Sequence, residues 1–227
     1  MTTRPDTTTR PASESAQWRV HPLAQSHVGG ARIPAAHELF IWRLPGAWRQ
    51  ISATNIGQWL SSAERTRIKA RPYATHSKRF GLARAALRLV VSQMLVCEPG
   101  GIVFDELPDD RLVVTHPPHG RPLAVDYRQA GIWTVIAASG TPVGVGLVNP
   151  LQMDTSPALT LSPPPHDDPI ECAHQISLER AKRCGLAMPT VAKDVWHSLE
   201  LPMPGSIRAV ITTQQPITRV EAFGWQG

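Results

Sequence analysis

Cysteine, charge and long apolar runs are all scarce in this sequence. Its 227 residues include three cysteines, which are too few and too scattered for a disulfide framework or a zinc site. No apolar run approaches the roughly 20 residues that cross a bilayer, and the opening residues lack the apolar core of a secretory signal. We therefore expect a cytoplasmic protein with reduced thiols and no membrane partner.

Charged residues make up 18% of the chain, below the roughly 25% that soluble domains usually carry. Lysine and arginine number 23 against 18 acids, so the formal net charge is +5. This basic balance favours anionic partners: nucleic acid, phosphorylated small molecules, acidic proteins or anionic membranes. Composition alone does not choose among them. The 42% of hydrophobic residues is enough to build a core.

Two segments are predicted to lie outside the packed core. Residues 1–36 are rich in Thr, Pro, Ser, Ala and Gly, which is typical of a mostly disordered tail. Residues 154–170 contain five prolines, so they are predicted to form a loop or linker rather than a helix.

Between these segments the pattern predicts a mixed α+β fold. Ser61 and Glu64 match the S-x-x-E capping box that begins a helix. Apolar residues recur at helical spacing from about His76 to Cys97, and a last helix is predicted from about Ile170 to Cys184. The stretch 51–60 is helix or turn. Strand-like apolar runs occupy 38–42, 102–104, 111–114, 133–138, 143–148, 207–212 and 217–223.

Basic residues are concentrated in one part of the chain. Residues 64–88 hold eight of the 23 against one acid, Glu64; the eight are Arg65, Arg67, Lys69, Arg71, Lys78, Arg79, Arg84 and Arg88. Arginine matches phosphate oxygens bidentately, so the segment indicates an anion-binding surface, with a solvated helix face as the alternative. Nucleic acid is an unlikely partner, because the chain has no RNP motif, zinc finger or evident helix-turn-helix spacing.

Several short segments resemble, in order, the motifs of surfactin-type 4'-phosphopantetheinyl transferases. They are LSSAERTR at 60–67, RFGLARAALR at 79–88, HGRP at 119–122, GIW at 131–133, PVGV at 142–145, and Arg180-Ala181 with Gly185-Leu186. No single segment is specific, and the resemblance depends on their order and spacing between about residues 38 and 225.

The resemblance implies a fold, an activity and partners. The fold is a 4'-phosphopantetheinyl transferase-like, pseudo-twofold pair of α+β halves, here 37–125 and 126–227, with the active site between them. The family transfers the phosphopantetheine arm of coenzyme A, with Mg²⁺, to a serine of an acyl or peptidyl carrier protein. Such proteins serve polyketide, fatty-acid or nonribosomal peptide metabolism.

The chain departs from the family at the positions of the metal ligands and the base. Gly146 and Val148 replace Asp and Glu, Arg128 and Gln129 replace Ser and His, and Gln175 and Ile176 replace Lys and Glu. Mg²⁺ prefers hard oxygen ligands, and a base must accept the serine proton. We therefore expect ordinary transfer to be lost or impaired, and we assign no catalytic or metal-binding residue. A shifted alignment of the last helix leaves Glu179 as a surviving acid.

Cationic positions of the family survive in part. By the resemblance, Arg67, Arg79, Arg121 and Arg180 fall at or near basic positions of the family, and Arg128 is a new cation where the family has serine. We expect these five arginines to bind the phosphates of coenzyme A or a similar ligand. One hypothesis is residual or altered chemistry on coenzyme A or a carrier-tethered substrate. The other is a non-catalytic module that binds an acidic carrier protein or a coenzyme A-like ligand. The alternative is that these arginines are solvated remnants in a protein without a present role.

Overall fold

The structure is a computed structural model. It describes residues 9–11, 16–25, 32–46, 48, 51–70, 75–106, 112–116, 118, 120–151, 168–185 and 195–225. Most of the loop expected at 154–170 lies outside these residues. Its last two residues already belong to a helix.

Eleven strands and four α-helices make up the described part of the chain. The strands are β1 Thr9–Pro11, β2 Gln17–His21, β3 Glu38–Pro45, β4 Val103–Glu106, β5 Leu112–His116, β6 Ala124–Ala130, β7 Trp133–Ser139, β8 Val143–Val148, β9 Trp196–Leu201, β10 Arg208–Thr213 and β11 Arg219–Phe223. The helices are α1 Ala53–Trp59, α2 Ser62–Ala70, α3 Thr75–Leu95 and α4 Pro169–Gly185. None of these helices is long and apolar enough to cross a membrane.

The strands form two larger sheets and a hairpin. The five-stranded sheet has the order β2-β11-β3-β7-β6, and its first three strands are parallel. The four-stranded sheet has the order β1-β9-β10-β8, and β4 pairs with β5 alone. Strand β11 therefore lies between β2 and β3, so a strand near the end of the described chain pairs with two strands near its beginning.

Packing of the sheets produces a layered, mixed α+β structure, as expected. Strand β3 is buried on both faces, because Phe40 and Trp42 pack toward α3 while Leu39 and Ile41 pack toward the four-stranded sheet. Helix α4 covers the other face of that sheet. The layers are thus helices, sheet, sheet and helix. The five-stranded sheet takes strands from both sides of the expected 125/126 boundary.

Two expectations about helices are confirmed. The long helix predicted from His76 to Cys97 is α3, and its apolar face joins the core beneath the five-stranded sheet. The capping box at the start of α2 also forms. The Ser61 amide donates to Glu64 Oε2 (2.7 Å), and the Glu64 amide donates to Ser61 Oγ (3.2 Å).

The expectation of a mostly disordered segment at 1–36 is wrong for the stretch that forms β2. This strand pairs with β11 through its backbone while its side chains stay largely exposed, so its polar composition carries no sign of the pairing. Strands β6 and β9 were also not predicted. Asp126, Arg128 and Glu200 interrupt their apolar runs.

Helix α4 lies unusually close to β8, and glycine makes this approach possible. A Cβ atom at Gly146 would overlap the carbonyl oxygen of Ala173 and lie 2.8 Å from its carbonyl carbon. A Cβ at Gly144 would likewise meet the backbone of Ser177 and lie 3.0 Å from the carbonyl carbon of Arg180. The two glycines therefore set the distance between helix and sheet.

Substitution of Gly146 by Ala tests this contact. We expect the free energy of unfolding to fall by about 1–3 kcal/mol or more, because helix and strand must separate to admit the methyl group. Gly57→Ala is the control, since no atom lies within 4 Å of a Cβ at Gly57 in α1. That control should raise the free energy by about 0.5–1 kcal/mol. Urea unfolding measures both, and a Gly146→Ala protein as stable as wild type would contradict the contact.

Candidate functional site

The basic segment divides into a buried part and an exposed part. Arg84 and Arg88 of α3 point inward and are only 2% and 3% exposed. Both bind Glu64: Arg84 Nε lies 2.5 Å from Oε1, and Arg88 Nη2 lies 2.9 Å from Oε2. Arg88 also donates to the carbonyl of Ile102. These two arginines are therefore structural, and they tie α3 to α2 and to the chain before β4.

Glu64 is the centre of this buried network. Burial raises the pKa of its carboxyl group, but Arg84, the Ser61 amide and Arg88 together hold the pKa below its ordinary value of 4.5. The Phe104 ring lies 5.3 Å from the guanidinium carbon of each arginine, which adds cation–π attraction. A charge buried this deeply is tolerated only with such partners.

The remaining cations of the segment that the structure describes lie wholly or partly at the surface. Arg65 is half-buried and donates to the carbonyl oxygens of Gly57 and Leu60. Arg67, Lys69 and Lys78 are exposed and Arg79 is half-buried; these four residues are called the basic surface below. Arg71 lies outside the described residues.

The basic surface adjoins one end of β6. The Arg67 guanidinium stacks over the Phe80 ring, 4.4 Å from its centre. One residue earlier on α3, the carbonyl of Arg79 accepts a hydrogen bond from Gln129 Nε2 (3.1 Å). Arg67, Arg79 and Gln129, the residue that follows Arg128 on β6, therefore lie close together.

Arg128 lies on the other face of the sheet from Arg79. Along β6, Val125 and Tyr127 pack toward the helices, whereas Ala124 and Ala130 pack toward the four-stranded sheet. Because side chains alternate between the two faces of a strand, the side chain of Arg128 points toward the four-stranded sheet. Its side chain is half-buried there.

Arg121 is separated from the other predicted residues. It is exposed and lies before Ala124, at the opposite end of β6 from Gln129. At roughly 3.3 Å per residue, the strand alone separates Ala124 from Gln129 by about 16 Å. The structure therefore does not bring Arg121 together with Arg79.

Arg180 is buried and ion-paired. Its guanidinium donates to both carboxylate oxygens of Asp126, with Nε 2.8 Å from Oδ2. Asp126 Oδ2 also accepts from the amide of Val145 (2.8 Å), so this carboxylate joins α4, β6 and β8. Sequence reasoning missed Asp126. Its only signal was an acid within an apolar stretch.

The positions that hold the family's metal carry no ligand chemistry here. Gly146 lies under the backbone of α4, while Val148 and Cys172 share a small apolar cluster against which Ile176 packs. Within the described ranges, no group of three or more His, Cys, Asp or Glu side chains fits a metal ion. The nearby acid Asp126 is already bound by Arg180. These residues do not fit Mg²⁺, which needs several oxygen ligands.

The thiol of Cys172 lies in a position that does not suit a nucleophile. Cys172 is 2% exposed in the apolar cluster under α4, and burial raises the pKa of its thiol. The thiol is therefore protonated at neutral pH, and thiolate is the reactive form.

Comparison with known proteins gives no family for this chain. No protein-family model matches it, and no curated protein matches it. The relation to phosphopantetheinyl transferases therefore rests on the motifs quoted above alone.

Removal of the Glu64 charge tests the buried network. Glu64→Gln should lower the free energy of unfolding at neutral pH by about 3–5 kcal/mol, because two buried arginines lose their carboxylate. Glu179→Gln is the control; that residue is half-exposed in a loose 3.9 Å pair with Arg183. The control should change stability by at most about 0.5 kcal/mol. Equal effects of the two substitutions in urea unfolding would contradict the network.

The effect of Glu64→Gln on the free energy of unfolding should depend on pH in a defined direction. The folded-state pKa of Glu64 lies below 4.5, so its stabilising contribution is complete above that pH and is lost as pH falls through the folded pKa. The stability difference between wild type and Glu64→Gln should therefore be constant near neutral pH and shrink below about pH 4. Unfolding curves over this range measure the difference. A difference that grows toward acid would refute the assignment.

Proposed function

We propose that this protein is a non-catalytic binding module of the phosphopantetheinyl transferase type, which recognises an acidic acyl or peptidyl carrier protein. The observation that carries the proposal is the exposure of the basic surface. Within the described chain, none of its four side chains is bound to a carboxylate. Their positive charge is therefore available to an anionic partner.

The arrangement of the cations favours a protein over a small phosphorylated ligand. Arg67 and Lys69 project from α2, and Lys78 and Arg79 project from the first turn of α3. Exposed charges spread over α2 and the start of α3 steer and orient an acidic surface. In contrast, Arg121 lies apart and Arg180 is neutralised by Asp126. The five residues assigned to coenzyme A thus do not enclose one phosphate site.

The proposal excludes ordinary transfer on chemical grounds. Transfer requires a cation on the pyrophosphate, oxygen ligands that hold the cation, and a base for the attacking hydroxyl. Gly146 and Val148 offer no side-chain oxygen, and α4 fills the space beside Gly146. Asp126 is held by Arg180 and the Val145 amide. Coenzyme A therefore serves as the comparison ligand rather than as the proposed substrate.

Calorimetric titration with a panel of apo carrier proteins at low salt tests the proposal. We expect binding to at least one carrier, weakened about tenfold or more by the double variant Arg67→Glu, Lys69→Glu, because its charge now opposes the partner. Arg208→Glu is the matched control, an exposed cation on β10 of the other sheet. It should leave the affinity within about threefold of wild type.

Three outcomes would overturn this function. The first is no binding to any carrier at low salt. The second is binding to coenzyme A while all carriers fail, which would indicate a ligand-binding protein. The third is a mass gain equal to the phosphopantetheine arm on a carrier incubated with the protein, coenzyme A and Mg²⁺, which would show that transfer is retained.

A further inference from the structure

Strand β2 forms one edge of the five-stranded sheet and is exposed on both faces. In the described part of the chain its one strand neighbour is β11, with Gln17 opposite Arg219 and His21 opposite Phe223. Four of the five β2 residues are exposed. An open strand edge presents backbone donors and acceptors that natural proteins usually cover or use.

Backbone groups of β2 point alternately toward β11 and toward the open edge. The Gln17 amide donates to the carbonyl just before β11 (2.9 Å), and the His21 carbonyl accepts from the amide just after β11 (3.0 Å). Because the amide and carbonyl of one strand residue point to the same side, residues 17, 19 and 21 face β11. Trp18 and Val20 therefore present their amides and carbonyls outward.

The side chains of β2 add specific chemistry to this edge. Trp18 and Val20 share one face and are 37% and 47% exposed, which is high for large apolar residues. Arg19 lies between them on the opposite face and is also exposed. In the described ranges Arg19 is bound to no carboxylate.

Glu221 lies directly opposite Arg19, but its charge is already compensated. Its fully buried carboxylate binds His21 Nε2 (2.6 Å) and Arg219 Nε (2.8 Å). The His21 ring also stacks on Phe223, with 4.8 Å between ring centres. These contacts hold β2 on the sheet, and among the described residues they leave the Arg19 charge uncompensated.

We propose that the open edge of β2 binds an extended acidic peptide segment of another protein, which adds a sixth strand to the sheet. The outward backbone groups of Trp18 and Val20 bond the segment, and their side chains meet its apolar residues. Arg19 meets an acidic side chain on the opposite face. The edge uses none of the residues of the basic surface, so the inference stands apart from the carrier-binding proposal.

A second copy of this chain fits the edge less well than an acidic segment. Antiparallel pairing of two β2 strands over their full length is centred on Arg19. That register sets the two arginines directly opposite each other, and like charges in this position are destabilising. The net charge of +5 on each copy adds to the repulsion.

Residue-resolved hydrogen exchange on the full chain tests the proposal. The probe is a short capped peptide that alternates valine and glutamate, and the comparison peptide alternates valine and lysine. In the protein alone, the amides of Trp18 and Val20 should exchange faster than that of Arg19. The glutamate peptide should protect both outward amides and bind about tenfold or more tightly than the lysine peptide.

Three variants separate the backbone from the charge. Val20→Pro removes an outward amide and keeps the β11 bonds, so it should weaken binding about tenfold or more. Val20→Thr keeps that amide and should stay within about threefold of wild type. Arg19→Glu should reverse the preference toward the lysine peptide. If Val20→Pro fails to fold, the reversed peptide preference of Arg19→Glu still tests whether the peptide binds at β2.

Other results would overturn the inference. No protection of the outward amides by the glutamate peptide would exclude strand addition. Equal affinity for the two peptides would remove the role of Arg19. A concentration-dependent dimer in light scattering that Val20→Pro abolishes would assign the edge to a second copy of the chain instead.

Discussion

The outer layer of this structure depends on the close contact between helix α4 and strand β8. Gly144 and Gly146 let the helix backbone reach the strand. At this distance Arg180 reaches Asp126, and one buried ion pair joins the helix to both sheets. The same contact leaves no room for a side chain at Gly146, the position at which the transferases that the motifs resemble carry a metal-binding carboxylate. A single packing constraint thus stabilises the outer layer and leaves no room for that carboxylate.

On α2 and α3, at the other side of the molecule, the charged residues divide into a buried group and an exposed group. Glu64 draws Arg84 and Arg88 into the core, while Arg67 and Lys69, on the same helix as Glu64, stay in solvent. Buried guanidinium groups are held by their carboxylate and contribute to the fold, whereas the exposed cations place positive charge at the surface. The basic residues of this segment therefore form two groups, and the proposed binding of a partner concerns the exposed group alone.

Local signals in the sequence were sufficient for part of this structure. The S-x-x-E pattern at Ser61 and the apolar spacing of α3 predict those helices, because caps and periodicity act within a few residues. The pairing of Arg180 with Asp126 could not be read in the same way, because 54 positions separate the two residues. The role of Gly146 also depends on a distant helix. Strand β2 is held by backbone bonds to β11, which side-chain composition does not reveal.

A nuclear magnetic resonance titration tests most directly whether this protein binds carriers through its exposed cations rather than through a transferase active site. An apo acyl carrier protein is added to the isotope-labelled full chain at low salt while the backbone amides are followed. We expect the shifts to concentrate in α2 and the first turn of α3, around Arg67 and Arg79. Shifts concentrated in β8 and α4 around Gly146, or no shifts with any carrier, would contradict this account.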